Sequence, residues 1–465
     1  MFLWGIDGPF ILILYLKYKY IHVFSYFSDS MLKSTTFISK MLALLREILS
    51  KATHISSSIE HKYFWSFLVI FFLGVINFPN KGSFVNSNQG EDYVDNYAKI
   101  GLYSEEELEY LNNSITQVLI DSGFNGNVMI ARYGMMIYER SFGMASFSNS
   151  VPLNMETSFQ LASISKTFTA TAILLLQEQG LLDVSDKVIT HIPEFPYENI
   201  TIQHLLSHTS GLQNYMWLVE RRWNKKKLPD NEDILTLFIE SRRPLNFSPG
   251  QRFDYSNTGF IFLGLLIERL SGQSYATFVK ENIFEPLEME RSFVNDLHNP
   301  VDIENRAYGY RQWRGSHIRI PDDNLDGPLG DKGVFSSAGD LFKWDQAIYR
   351  NALLPFERWE QAFTHARLNN DSLANYGFGW RLQEYLDKRI VHHPGRWHGF
   401  RTSFKRFPQD HTTLIILANN NQNIAGIIEK IQDIIYYDEK EIWVTKNKEK
   451  SLQEPEDDDI SRGNY

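Results

Sequence analysis

Ser163 and Lys166, three residues apart, pair a hydroxyl with an amine. Ser163-Ile164-Ser165-Lys166 lies ahead of the apolar run Ile173 to Leu176, which predicts a helix from Ser163 to Gly180. On a helix this spacing puts both groups one turn apart on the same face. A serine hydroxyl is a poor nucleophile until a neighbouring base takes its proton. A lysine amine can be that base when burial or a nearby cation lowers its pKa. A second match, Ser30-Met31-Leu32-Lys33, has no comparable setting and is read as chance.

Two further groupings could complete a site. Tyr255-Ser256-Asn257 follows Pro249-Gly250 and precedes an apolar helix. If the backbone there is extended, the phenol and the amide face one cavity. The phenol can then relay a proton and the amide can hold a substrate carbonyl. The same pattern at Tyr110, Tyr197 and Tyr349 shows that it has little weight alone. His393-Pro394-Gly395 is the only His-x-Gly of the chain, and Gly395 could let a substrate approach the backbone closely.

The elements that must position these groups are legible in outline. Ser104-Glu105-Glu106-Glu107 reads as a helix start. Asn127 to Arg132 and Met136 to Arg140 flank Tyr133-Gly134 as a β-hairpin. Short helices are expected over Thr201 to His208 and Asn257 to Leu270. Late strands are expected at Tyr376 to Leu382, Arg389 to His393, Phe400 to Phe407 and Thr412 to Ala418, before a last helix from Gln422 to Tyr436. An early hairpin and late strands around a helical middle predict an α+β fold. One antiparallel sheet is built from both ends of the chain, flanked by helices, with a mostly helical subdomain inserted.

The chain has 465 residues, 43% of them hydrophobic and 22% charged, enough for a large core. A net charge of −10 without a long Lys/Arg cluster argues against a nucleic-acid partner. The absence of cysteine excludes disulfides, thiolate metal sites and a cysteine nucleophile. Residues 1–90 differ from the rest. Their uncharged apolar stretch, residues 63–78, follows Lys51 and Lys62 and reads as a signal or membrane-anchor segment, so an exported or anchored protein is expected. Translation from Met31 or Met41 would shorten this leader. Residues 437–465 read as a solvated acidic tail.

Taken in order, Ser-x-x-Lys, Tyr-x-Asn and His-x-Gly resemble the penicillin-recognising serine hydrolases. That group includes class C β-lactamases, D-alanyl-D-alanine carboxypeptidases, D-aminopeptidases and related esterases. Ile200 to Leu212 and Gly333 to Leu341 support the resemblance, which covers about residues 100 to 435. It implies a β-lactamase/transpeptidase-like fold over residues 100–436 and no cofactor. Ser163 would be the acylated nucleophile, with Lys166 and Tyr255 moving its proton. Asn257 would bind the substrate amide, and His393 and Gly395 would belong to the cleft strand. The backbone N–H groups of Ser163 and Arg396 would form the oxyanion hole. The substrate would be a small molecule or peptide: a D-amino-acid peptide, a peptidoglycan stem, a β-lactam or an ester. Pro394 departs from relatives with a hydroxyl at that position, and Arg396 or Arg401 is the expected substitute for carboxylate binding. A membrane-tethered, penicillin-binding-like sensor without turnover is the alternative.

A catalytic metal is the less favoured reading of the histidines. His204 and His208 are four apart but lack the glutamate of a zinc-protease helix. His392, His393 and His398 have no acid near them in sequence. The basic run Arg221 to Lys227 reads as a solvated face.

Overall fold

The structure is a computed structural model that describes residues 103–441 apart from 225, 301 and 302. The apolar stretch 63–78 and most of the acidic tail lie outside the described residues. Among the described residues no helix is long and apolar enough to cross a membrane.

Helix α1 (Glu105–Asp121) starts at a capping box, with the Ser104 hydroxyl accepting from the Glu107 N–H and the Glu107 carboxylate accepting from the Ser104 N–H. Strands β1 (Gly126–Arg132) and β2 (Met135–Phe142) form the hairpin. Tyr133 and Gly134 between them both have positive φ, as a tight two-residue turn requires. The late strands are β3 (Arg381–Tyr385), β4 (Lys388–Trp397), β5 (Phe400–Phe407) and β6 (Thr412–Ala418). They join the hairpin in one six-stranded sheet of order β3-β4-β5-β6-β1-β2. Every pairing in it is antiparallel. The two ends of the chain do build one sheet.

Strands β1 and β6 are buried along their whole length because both sheet faces are covered. Ile416 and Leu414 meet α1 and the last helix, α8 (Ala425–Ile435), on the outer face. Ile415 and Leu417, alternating with them, join the core of the helical part. Between β2 and β3 lie helices α2 (Ser165–Glu178), α3 (Ile202–Leu206), α4 (Tyr215–Arg222), α5 (Asn231–Ser241), α6 (Asn257–Ser271) and α7 (Ala338–Tyr349). A small sheet with Val334–Ser336 at its centre accompanies them. Helices α2 and α6 are apolar nearly all round and buried, the signature of core helices rather than surface ones.

Several element boundaries differ from expectation, among them β4, which runs on past His393 to Trp397. The strand expected at Tyr376 starts only at Arg381, because Gly379 has φ +77° and breaks the extended run. A Cβ at Gly379 would lie 2.7 Å from the Lys166 carbonyl, so glycine permits this loop to seat against α2. The last helix begins at Ala425 rather than Gln422.

Candidate functional site

The helix expected from Ser163 has a different beginning. Ala162–Ile164 is a single 3₁₀ turn, and α2 proper starts at Ser165. Ala162 has φ +52°, a left-handed conformation that costs a non-glycine residue about 1 kcal/mol. The fold holds it from two sides. The Leu161 N–H donates to the Val334 carbonyl at 2.8 Å, and the Thr402 hydroxyl of β5 donates to the Leu161 carbonyl at 2.8 Å. The neighbouring Ser165 hydroxyl accepts from the Val334 N–H and is structural.

Lys166 is fully buried. Its Nζ donates to Ser163 Oγ at 3.3 Å and to the Asp331 carbonyl at 2.7 Å. The Tyr255 and Phe260 ring centroids lie 5.2 and 5.6 Å from the amine. Burial lowers the Lys166 pKa from the ordinary 10.5 to about 8; Asp331 opposes this and Arg381 reinforces it. Burial pushes the Tyr255 phenol up, while Ser163 and Arg381 act in the opposite sense. Tyr255 Oη makes no hydrogen bond of normal geometry, so its link to Ser163 is proximity, not a formed bond.

Ser256 is extended (φ −128°, ψ 119°), which sends Tyr255 and Asn257 to the same side, as the sequence reading required. The Ser256 N–H donates to His208 Nδ1 at 3.2 Å. Asn257 opens α6; its Nδ2 approaches Met216 Sδ at 3.9 Å, and its Oδ1 is buried with no hydrogen-bond partner among the described residues.

The register of β4 and β5 settles what the His-x-Gly segment does. His398 and Gly399 have φ of 34° and 87°, so Trp397 and Phe400 close a two-residue hairpin as its hydrogen-bonded pair. Pairs alternate in an antiparallel ladder, so Pro394↔Ser403 and Arg396↔Arg401 are non-hydrogen-bonded and their backbone nitrogens point away from β5. On that side β3 reaches only as far as His392. Proline at 394 therefore loses no ladder bond, and the Arg396 N–H faces the open edge.

Three features of this segment follow from the register and packing. A Cβ on Gly395 would overlap the Thr402 hydroxyl oxygen and the Leu161 carbonyl. Glycine here lets the strand pack on the Ser163 turn; it leaves no gap for a substrate. Gly395 faces that turn, so Arg396 and Arg401, of opposite parity, leave the strand on the other face. Pro394 shares that face. His393 is buried, with Nδ1 donating to the Pro394 carbonyl at 2.7 Å and Nε2 accepting from the Tyr376 hydroxyl at 2.9 Å. That tautomer follows from the partners, since a carbonyl only accepts. Burial, Lys166 and Arg381 hold its pKa well below the ordinary range, so the ring is a neutral support behind Tyr255.

The other histidines are placed as well. His204 Nδ1 caps its own helix by accepting from the Thr201 N–H, and His208 supports Ser256. His398 does meet acids, brought by the fold rather than the sequence: Asp326 at 3.1 Å and Asp323 at 3.4 Å. Burial opposes protonation of His398, but Asp326 and Asp323 raise its pKa overall. Asp326 also accepts from the Trp397 indole and the Asp323 N–H, so this cluster reads as an ion pair anchoring the β4–β5 turn.

Two groups escaped the sequence reading. Asp331 and Lys332 form a buried ion pair of 3.1 Å, with Lys332 donating to the Tyr215 hydroxyl at 2.7 Å. This fixes the loop whose carbonyl holds Lys166. The available signal was a charged pair inside the Gly-rich segment Gly330 to Gly333. Arg381 was the other; its guanidinium carbon sits 5.2 Å from the Tyr255 ring centroid.

A family model described as Beta-lactamase matches residues 114–434. Penicillin-binding protein 4* of Bacillus subtilis (strain 168) is 39% identical over 327 residues, covering 67% of this chain and 72% of that protein. A penicillin binding protein from Bacillus halodurans superposes with a TM-score of 0.61 at 27% identity, over 69% of this chain and 98% of that one. A D-amino acid amidase from Ochrobactrum anthropi SV3 shares the fold with a TM-score of 0.59 at 23% identity, over 70% and 99% of the two chains. The family model spans the whole sheet and the Ser163, Lys166, Tyr255 and Asn257 grouping in front of it, and the chain belongs to the Beta-lactamase family of serine hydrolases.

Proposed function

We propose that the chain hydrolyses an amide through an acyl-serine intermediate on Ser163. The observation that supports this most is the fully buried amine 3.3 Å from the serine oxygen, with its pKa near 8. At neutral pH roughly a tenth of such an amine is unprotonated, against less than a thousandth of an ordinary lysine. Tyr255 rests as the neutral phenol because burial disfavours its anion. Lys166 is therefore the resting base, and Tyr255 passes the proton onward.

The Ser163 oxygen attacks the carbonyl carbon and its proton goes to Lys166. The Ser163 and Arg396 N–H groups receive the developing oxyanion, a contribution of about 3 kcal/mol per donor. Collapse breaks the C–N bond as Tyr255 protonates the leaving nitrogen and is itself reprotonated from Lys166. Water then attacks the ester by the reverse proton path. Asn257, with its unpartnered Oδ1, binds the substrate amide.

The amide of a D-amino acid or D-amino-acid peptide is the first substrate class, in keeping with the amidase that shares the fold. β-Lactams are the second, given the penicillin-binding relatives. The test is a hydrolysis panel of D- and L-amino-acid p-nitroanilides, p-nitrophenyl esters, nitrocefin and D-Ala-D-Ala peptides, run with Ser163→Ala beside the native enzyme. Turnover confined to the native enzyme and strongest on D-amides supports the reading. Equal turnover by Ser163→Ala overturns it.

A further inference from the structure

Arg381 begins β3, at the corner where that strand stops covering β4 and the edge beside His393 to Trp397 opens. Its guanidinium carbon lies 5.2 Å from the Tyr255 ring centroid and 5.8 Å from that of Tyr376. Its Nε is buried without a hydrogen-bond partner, and no carboxylate forms an ion pair with it among the described residues. Arg381 is half-buried, with its guanidinium set against both aromatic rings.

The surroundings do not cancel that charge. His208 and His393 are held neutral by burial and by the nearby cations. Tyr376 is a neutral phenol whose pKa burial raises well above the ordinary value. Asp331 is the acid on this side, and Lys332 already pairs with it at 3.1 Å. Two cations, Lys166 and Arg381, therefore each lie 5.2 Å from the Tyr255 ring centroid, and the nearby Asp331 carboxylate is already paired.

We propose that Arg381 is a positioning residue of the reaction, a fixed cation that holds the Lys166–Tyr255 pair in its base-competent state. It repels a second positive charge from Lys166. It also stabilises negative charge developing on the Tyr255 oxygen while the proton moves. Arg381 brings its charge from β3, while His393 on the neighbouring strand is held neutral. This rests on the acyl-serine reading above.

The test is the pH profile of kcat/KM on an uncharged ester, for which substrate charge has no part. Arg381→Gln removes the charge, and Arg381→Met removes it while keeping an unbranched stem between the two rings, should the glutamine variant fail to fold. Both effects of Arg381 lower a pKa, so its loss moves the acid limb upward, by about one pH unit. Arg381→Lys restores a charge and brings the limb back toward the native position. A neutral variant that folds and loses rate equally at every pH, with its limb unmoved, overturns the proposal. Ser163→Ala is assayed alongside: activity there defeats the acyl-serine reading, whereas an inactive Ser163→Ala with an unmoved Arg381→Gln limb defeats only the role of Arg381.

Discussion

Replacing Lys166 by methionine removes the buried amine while keeping a stem of similar length. The native protein should carry a stability cost at this position, because a charged lysine is ordinary in the unfolded chain and desolvated in the fold. With the pKa lowered from 10.5 to about 8, both states bind the proton below pH 8, and the full cost is present there. Between pH 8 and 10.5 the unfolded chain binds more protons than the native one, so native stability rises with pH. The displacement corresponds to about 3 kcal/mol at pH 7, falling to under about 1 kcal/mol at pH 10. Methionine has no such dependence. Against it stands the Asp331 carbonyl, which loses a 2.7 Å hydrogen bond at a cost of about 1–3 kcal/mol that is independent of pH. Urea unfolding of native and Lys166→Met protein at pH 7 and pH 10 measures the difference, and common titrations cancel within it. The native protein should gain about 2.5 kcal/mol relative to the variant across this range. A stability difference that stays constant with pH would refute the lowered pKa and the proton path built on it.

Other outcomes follow from the same geometry. The acid limb of kcat/KM for the native enzyme should lie near pH 8, set by Lys166; a limb near pH 10 would mean an ordinary amine. Gly395→Ala should cut kcat/KM on the order of 100-fold by pushing the strand off the Ser163 turn, and near-native activity would show that the packing there is slack. Arg406 and Asp345 form a 2.5 Å ion pair that is almost wholly buried. Arg406→Met should lose about 3–5 kcal/mol in urea unfolding, and adding Asp345→Leu should recover much of it. A single variant as destabilised as the double would contradict that.

The fold and the approach of Lys166 to Ser163 were legible because both have local signals in the sequence. The capping box at Ser104, the Tyr133-Gly134 turn and the alternating apolar strands each have a physical cause within a few residues. The three-residue spacing of Ser163 and Lys166 brings them together across one helical turn, and contacts with Val334, Thr402 and Asp331 fix that turn. What stayed hidden depends on which face of a strand points inward. The face on which the Arg396 and Arg401 side chains leave the sheet was not legible until the contact of Gly395 with Leu161 fixed the parity of β4. His393 was read as part of the cleft strand, and the Tyr376 hydroxyl on its Nε2 comes from tertiary packing. Arg381 and the Asp331–Lys332 pair reach the site from loops and a strand end, brought there by tertiary packing that leaves no period in the sequence.

The most direct test of the central claim is mass spectrometry of the native enzyme quenched during turnover of a slow D-amide or β-lactam. The account predicts an adduct with the mass of the acyl group, mapped to the peptide bearing Ser163 and decaying as product forms. An adduct on another residue, or steady turnover with no adduct on Ser163 under conditions that trap an ester, would contradict it.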